Sequence, residues 1–287
     1  MKQLTVISGK GGTGKTSIVG AFAALAENKV LADCDVDAAD LHLLLQPKVI
    51  EEQDFKALKK AVIDESKCVR CGACVEHCRF QAIENYSVNP LSCDGCGVCE
   101  YVCPVNAVRL GDKVAGKAYI SETRFGPLCH ARLHPGEDAS GKLVTLVRNN
   151  ARKIAEEKGH DLIIIDGSPG IGCPVIASLG GVDLALIVTE PTLSGIHDLG
   201  RILEVTEHFK VKSLVCVNKC DINLKNTADI TEYCMKRGVN VVGKIPYDQV
   251  FTKAQIEGKT VIEYEKTRVC DILKDMWAKI EKQLGND

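Results

Sequence analysis

The sequence predicts an α/β protein: a mostly parallel sheet flanked by helices, interrupted by one small inserted α+β module. Three observations carry this expectation. Nearly continuous apolar runs alternate with helical stretches, as strands buried on both faces require. A glycine-rich loop joins the first run to the first helix, and eight of the 15 cysteines crowd between Cys68 and Cys103. At 287 residues the chain can bury a sizeable core. With 36 basic against 38 acidic residues and 5% aromatics, it lacks the basic excess of a chain whose partner is nucleic acid. No apolar run approaches the roughly 18 residues of a membrane span, and Met1 to Gly9 reads as a strand and not a leader, so a cytoplasmic location is expected.

Lys2 to Ser8 (KQLTVIS) is a short apolar strand, and Thr16 to Ala26 (TSIVGAFAALA) has the periodicity of the helix that follows it. Four later runs read as buried strands: DLIIID (161–166), DLALIVTEP (183–191), SLVCVNK (213–219) and NVVGKIP (240–246). Helices over Ser194–Phe209 and Asn226–Arg237 separate them. In such a sheet, ligands sit outside the carboxyl ends of the strands. The segment 267–287 sets Ile272, Leu273, Met276, Trp277, Ile280 and Leu284 on one helical face. Its other face mixes Asp271, Lys274, Asp275, Lys279, Glu281 and Lys282 without a cationic excess, which predicts docking on the core and not on a membrane.

Before DLIIID the pattern breaks and a repeat appears: CVRCGACVEHCRFQAI (68–83) matches CDGCGVCEYVCPVNAV (93–108) at an offset of 25 residues, with all four cysteines coinciding. The repeat delimits a module of about 62–111, leaving 1–61 and 112–287 as one discontinuous domain. Each copy follows the bacterial ferredoxin run C-x-x-C-x-x-C-x-x-x-C, in which the fourth cysteine ligates the other cluster. Two [4Fe-4S] sites are therefore expected: Cys68, Cys71, Cys74 and Cys103 at one, Cys78, Cys93, Cys96 and Cys99 at the other. A pair of zinc sites is the competing reading, since four-thiolate zinc also uses C-x-x-C. Three cysteines at successive intervals of three favour the cubane, and the small residues Gly72, Ala73, Gly95 and Gly97 admit peptide N–H groups to sulfide. The first copy ends in Arg79 where the second has Pro104. Paired clusters of this kind are expected to pass single electrons, with a cluster held only for structure as the alternative. Cysteine in such excess in a reducing compartment serves metal sooner than disulfides.

Gly9-Lys10-Gly11-Gly12-Thr13-Gly14-Lys15-Thr16 satisfies G-x-x-x-x-G-K-[ST] in the required context, after a strand and opening a helix. Peptide N–H groups from Gly11, Gly12, Thr13 and Gly14 to Ser17 would curl round the phosphates of ATP. Lys15 would reach the β and γ phosphates, and the Thr16 hydroxyl would ligate Mg2+. The motif leaves Lys10 unexplained.

KGGTGKT resembles the deviant phosphate loop of the MinD/ParA ATPases, which share an ancestry with the nitrogenase iron protein, and the likeness extends over nearly all the chain outside the cysteine module. It implies a P-loop NTPase fold in which Lys10 reaches across a nucleotide-sandwich dimer to the partner's phosphates, a lysine counterpart of the arginine finger. ADCDVDAADLH (32–42) is similar to switch I, which implies that Asp35 orients the attacking water and Asp33 joins the magnesium shell. Asp40 stands where many relatives carry asparagine. IIIDGSPGIG (163–172) resembles the Walker B segment, making Asp166 the other magnesium carboxylate. VNKCD (217–221) and IPYDQ (245–249) resemble the adenine-contacting stretches, through Asn218, Pro246 and Asp248.

FGPLCHARLHPGEDASGKLV (125–144) and GIGCPV (170–175) put Cys129 and Cys173 in predicted loops. The nitrogenase iron protein holds a cluster across its dimer interface with comparable cysteines, so resemblance offers these two for that role; the plainer reading is idle or buried thiols. His130 and His134 read as loop or capping residues. Cys34, Cys216, Cys220, Cys234 and Cys270 read as structural.

An ATPase domain carrying an inserted two-cluster ferredoxin is similar to a group of anaerobic bacterial and archaeal MinD-superfamily ATPases, some associated with metal-cluster proteins such as the molybdenum-copper orange protein. The resemblance implies a Mg2+-dependent, ATP-hydrolysing switch, a homodimer or a heterodimer with a related ATPase. Its clusters would deliver electrons to a metalloprotein or redox partner, or help assemble one. A spatial-organising scaffold with redox-sensing clusters and an iron-sulfur carrier are the alternatives.

Overall fold

The computed structural model describes residues 1–137 and 139–285. Asp138 and the last two residues of the C-terminal segment therefore lie outside the described residues. Along the chain run β1 (Lys2–Ser8), α1 (Lys15–Leu25), β2 (Lys29–Asp33), α2 (Leu41–Leu45), β3 (Lys48–Ile63), α3 (Ala73–Glu76), β4 (Ile83–Glu84), β5 (Ser87–Val88), α4 (Val98–Tyr101), β6 (Val108–Thr123) and β7 (Gly126–Leu133). There follow α5 (Ser140–Lys158), β8 (Leu162–Pro169), α6 (Cys173–Leu179), β9 (Leu184–Thr189), α7 (Leu193–His208), β10 (Lys212–Asn218), α8 (Leu224–Lys236), β11 (Asn240–Ile245), α9 (Val250–Ile256), α10 (Val261–Tyr264) and α11 (Arg268–Leu284).

Two compact units divide these elements. One comprises Met1–Gln53, Ala118–Arg132 and Ser140–Asp287, the other Asp54–Lys117 with Leu133–Ala139. The second unit is wider than the 62–111 stretch delimited by the cysteine repeat, because β3 and β6 are 16 residues long and the division falls inside each of them. Neither strand is obvious from its residues: KVIEEQDFKALKKAVI is highly charged and alternates poorly.

The sheet order is β11-β10-β9-β1-β8-β2-β7-β6-β3. From β11 to β7 every adjacent pair is parallel, as buried, nearly continuous apolar strands demand. All five apolar runs of the sequence are among these strands. The register sets the chemistry, since Asp33 of β2 lies opposite Asp166 of β8. The stretch expected to be a loop around Cys129 is instead a strand, β7, paired to β2 through Leu31↔Leu128 and Ala32↔Cys129. Only two residues, Arg124 and Phe125, connect it to β6, which is the length of a hairpin turn.

The core of the first unit includes Leu4, Val6, Ile18, Phe22, Ile164 and Leu186, all with no exposed surface. Into it α11 sends Leu273, Met276, Trp277 and Ile280, with Ile272 partly buried beside them. Phe22 and Trp277 meet with ring centroids 5.1 Å apart, so the amphipathic face of the C-terminal helix is spent on the core. No helix among the described residues is long and apolar enough to cross a membrane. The second unit has a smaller core cluster, whose buried members among the described residues include Ala61, Cys74, Ala82, Ile83, Cys93, Cys99 and Val108.

Candidate functional site

The phosphate loop leaves β1 and enters α1 through Gly12 and Gly14, whose φ angles of 77° and 87° are in the left-handed region that glycine tolerates. A Cβ on Gly14 would also collide with the Asn218 side chain. The loop lines a cavity of about 480 Å³ together with Lys15, Thr16, Ser17, Asp35, Asp37 and Ser168. Beside it, a pocket of about 130 Å³ is bounded by Asn218, Pro246, Tyr247, Asp248 and Phe251. All the residues expected to bind nucleotide thus meet at the carboxyl ends of β1, β8, β10 and β11.

Lys15 is buried between carboxylates. Its Nζ is 2.6 Å from Asp166 and 3.5 Å from Asp35. Burial opposes its charge, but the carboxylates of Asp166, Asp35 and Asp33 outweigh burial and hold its pKa above the ordinary lysine value. Asp35 is pushed upward by its own burial, with Lys15 pulling the other way. Asp166 has one carboxylate oxygen, Oδ2, buried with no hydrogen-bond partner among the described residues. An orphaned acceptor of this kind suits the water shell of a magnesium ion.

Asp33 departs from expectation. It is wholly buried, with Oδ1 accepting from the Asp35 N–H (3.1 Å) and Oδ2 from the Leu41 N–H (3.2 Å). Burial and the neighbouring Asp166 raise its pKa well above the carboxylate range. Asp33 therefore anchors the loop that carries Asp35 and does not stand open to an ion. Asn218 is likewise committed: its Nδ2 donates to the Thr13 carbonyl at 2.8 Å and its Oδ1 accepts from the Lys219 N–H. It braces the phosphate loop as it borders the base pocket.

Lys10 does not extend into solvent. Its Nζ lies 2.5 Å from Glu190 Oε1 and within 3.3 Å of the Thr192 and Ser194 hydroxyls. Glu190 also holds Lys219 at 3.1 Å, and Lys219 in turn donates to the Gly12 carbonyl at 3.2 Å. Burial pushes the Glu190 carboxyl up, yet the hydrogen bonds from Lys10 and Lys219 leave it below its ordinary value. Sequence reasoning missed Glu190. The one available signal was an acidic residue directly after a nearly continuous apolar run, at the end where ligands bind.

In the second unit the repeats cross. Cys68, Cys71, Cys74 and Cys103 line one small cavity, Cys78, Cys93, Cys96 and Cys99 another. Peptide N–H groups of Ala82 and Ala107 point at the two crossing sulfurs, Cys78 Sγ at 3.3 Å and Cys103 Sγ at 3.2 Å. Burial raises the pKa of Cys103, but the backbone N–H groups of Val105, Ala107, Val108 and Asn106 outweigh it and set the thiol below its usual value. Gly95, at φ 72°, has no room for a side chain against the Lys59 carbonyl. Among the described residues no three His, Cys, Asp or Glu groups converge on a point fit for a single ion. The two quartets of thiols line separate small pockets.

Cys129 and Cys173 do not form a comparable pair. Cys129 is wholly buried in β7, its thiol pushed up to about 12 by desolvation, whereas Cys173 is exposed at the start of α6. Burial denies Cys129 the access that an interface ligand needs. His130, expected in a loop, belongs to the same strand, stacks on Tyr119 and shares a 2.9 Å hydrogen bond with Ser121. Cys34, Cys216, Cys234 and Cys270 are buried as expected, while Cys220 is half-buried.

Residues 4–261 match the family described as CobQ/CobB/MinD/ParA nucleotide binding domain. An uncharacterized protein of Methanocaldococcus jannaschii is 34% identical over 98% of this chain and 96% of its own. Nitrogenase iron protein 2 of Methanothermococcus thermolithotrophicus is 24% identical over 52% of this chain and 53% of its own. Among solved structures, the septum site-determining protein MinD of Pyrococcus horikoshii, complexed with Mg-ADP, superposes with a TM-score of 0.61 at 16% identity, covering 99% of this chain and 97% of that one. The last likeness concerns the fold alone.

Proposed function

The chain belongs to the CobQ/CobB/MinD/ParA nucleotide-binding family, and from that premise we propose that it is a dimeric, ATP-hydrolysing switch coupled to iron-sulfur redox chemistry, serving a metalloprotein partner. The observation that carries the redox half is the crossing of the cysteine repeats, each lending its fourth thiol to the other's cavity. The donor set fits two [4Fe-4S] clusters, held by Cys68, Cys71, Cys74 and Cys103 and by Cys78, Cys93, Cys96 and Cys99. Clusters so bound would supply single-electron transfer.

In the ATPase unit, the glycine loop and the start of α1 receive the phosphates. Lys15 is kept charged by the carboxylates around it and neutralises the β and γ oxygens. Thr16 and Asp166 would hold magnesium. Asp35 stands at the rim of the same cavity, where it orients water by accepting a hydrogen bond. Lys10, brought by a second subunit, would stabilise the charge that develops on the transferred phosphoryl group.

Anaerobically prepared protein should contain about eight irons per chain. Cys103→Ala should strip the site of Cys68, Cys71 and Cys74 and spare the other. Stoichiometric zinc without iron defeats the redox reading, and loss confined to the site of Cys93, Cys96 and Cys99 defeats the crossed assignment. The coupling has its own check: the clusters' reduction potential is measured with and without ATP. An identical value and an identical rate of electron transfer to an acceptor would separate the two halves of the proposal.

A further inference from the structure

The contact between Lys10 and Glu190 has a physical oddity. Lys10 Nζ rests on the Thr192 and Ser194 hydroxyls, at the N-terminus of the 16-residue helix α7. A helix amino end carries positive potential and disfavours a cation. Thr192 already spends its oxygen on the Gly195 N–H as the cap of that helix. The hydroxyls alone are therefore a poor seat for an ammonium group. What offsets the mismatch is Glu190, whose two oxygens take Lys10 and Lys219 separately. Glu190 is 8% exposed, so water screens the arrangement only in part.

We infer that Glu190 is the positioning residue that stores Lys10 in its own subunit until nucleotide and a second subunit compete for it. This rests on the reading that Lys10 acts across a dimer, and extends it by naming what must release the lysine first. The store is tied to the nucleotide pocket. Lys219 bridges Glu190 to the Gly12 carbonyl of the phosphate loop, so a triphosphate seated in that loop offers both lysines a stronger anion than one carboxylate. Lys10 then leaves Glu190 for a partner's phosphates at lower cost. An apo subunit keeps its cation sequestered, which restrains dimers from closing without nucleotide.

Glu190→Gln tests this in the full-length, cluster-loaded protein. Two readouts apply. The first is the reactivity of Lys10 toward an acetylating reagent without nucleotide, quantified by mass spectrometry. The second is the protein concentration at half-maximal ATP-dependent dimerisation, from sedimentation. The variant should show Lys10 acetylated about three- to tenfold faster and dimers forming at a concentration lower by a similar factor, the range for a partly shielded ion pair. Glu190→Asp, too short to span both lysines, should fall between; thermal melting and ATP affinity of both variants verify that the fold and the loop survive. Unchanged acetylation overturns the storage of Lys10. Faster acetylation with unchanged or weaker dimerisation overturns the restraint. Failure of the cross-dimer reading is separately visible: mixed Lys10→Ala and Asp35→Ala subunits would recover no hydrolysis, whatever the acetylation result.

Discussion

In the phosphate-loop unit the buried set is Leu4, Val6, Phe22, Ile164, Leu186, Leu273 and their neighbours, a core dominated by aliphatic and aromatic side chains with Cys216 and Cys270 among them. In the cysteine unit, the cluster around the thiols has, among the described residues, three cysteines in its seven buried members, and Cys78 and Cys103 pack against them. The first unit can fold around nothing but itself, because apolar burial at roughly 25 cal/mol per Å² scales with the area its strands and helices cover. The cluster of the second is smaller, and on the proposed reading its bound metal would add folding energy, as in small metal-bound domains. Function divides along the same line. In the first unit the polar candidate residues gather at the carboxyl edge of the sheet; in the second, the cysteines proposed as ligands are themselves members of the buried cluster or packed against it.

If the proposed clusters are present, the largest effect should follow removal of their iron. Chelation under reducing conditions is expected to abolish the ordered structure of the cysteine unit, read as loss of amide protection from hydrogen exchange over 64–110. ATP binding and the main melting transition should persist. Simultaneous loss of both would mean that the first core is not self-sufficient.

Next come the two lysines of the phosphate loop. Lys10→Ala should retain ATP affinity and full iron content but lose hydrolysis by on the order of 10³, whereas Lys15→Ala should weaken nucleotide binding itself. Mixing Lys10→Ala with Asp35→Ala subunits rebuilds one intact composite site and should restore up to about half the wild-type rate if the sites act independently. No recovery, with heterodimers demonstrated, would mean that Lys10 acts in its own subunit or that both sites must fire together.

A purely apolar probe sharpens the contrast. Trp277→Ala removes a ring that packs on Phe22 and should destabilise the phosphate-loop unit by about 3–5 kcal/mol. Iron content and the cluster spectrum should not change. Because α11 spends its apolar face on this core, deleting it should lower the melting temperature and leave liposome binding nil. Unchanged stability with lost liposome binding would favour the spatial-organising alternative.

The smallest effect is a pH dependence. Burial, reinforced by nearby His42, lowers His130 from 6.5 to about 4. Between those values the unfolded chain binds the proton that the folded chain refuses. The contribution is therefore complete above about pH 6.5 and is lost as pH falls toward 4, at most about 3 kcal/mol. His130→Phe should flatten the acid limb of the stability profile of the first unit. An unaltered limb would show that other groups dominate it.

Much of this was legible in the residues alone. KQLTVIS became β1 with its predicted ends, because a strand buried on both faces needs only a continuous apolar run. The glycine loop and the cysteine spacings carry their meaning within about a dozen residues, where covalent geometry limits what a chain can do. The amphipathic face of 267–287 declared its partner by its composition. Tertiary structure decided what depended on non-local neighbours. Cys129 reads as a loop thiol until β7 is paired to β2, and β3 and β6 hide behind charged residues because their sequence does not say which face is covered. Glu190 is the clearest instance. Some 180 residues separate it from Lys10, and they meet only because the sheet sets β9 directly beside β1, with Leu4 opposite Leu184. Local sequence can specify a loop that grips phosphate. The carboxylate facing its extra lysine is chosen by strand order, a property of the whole folded chain.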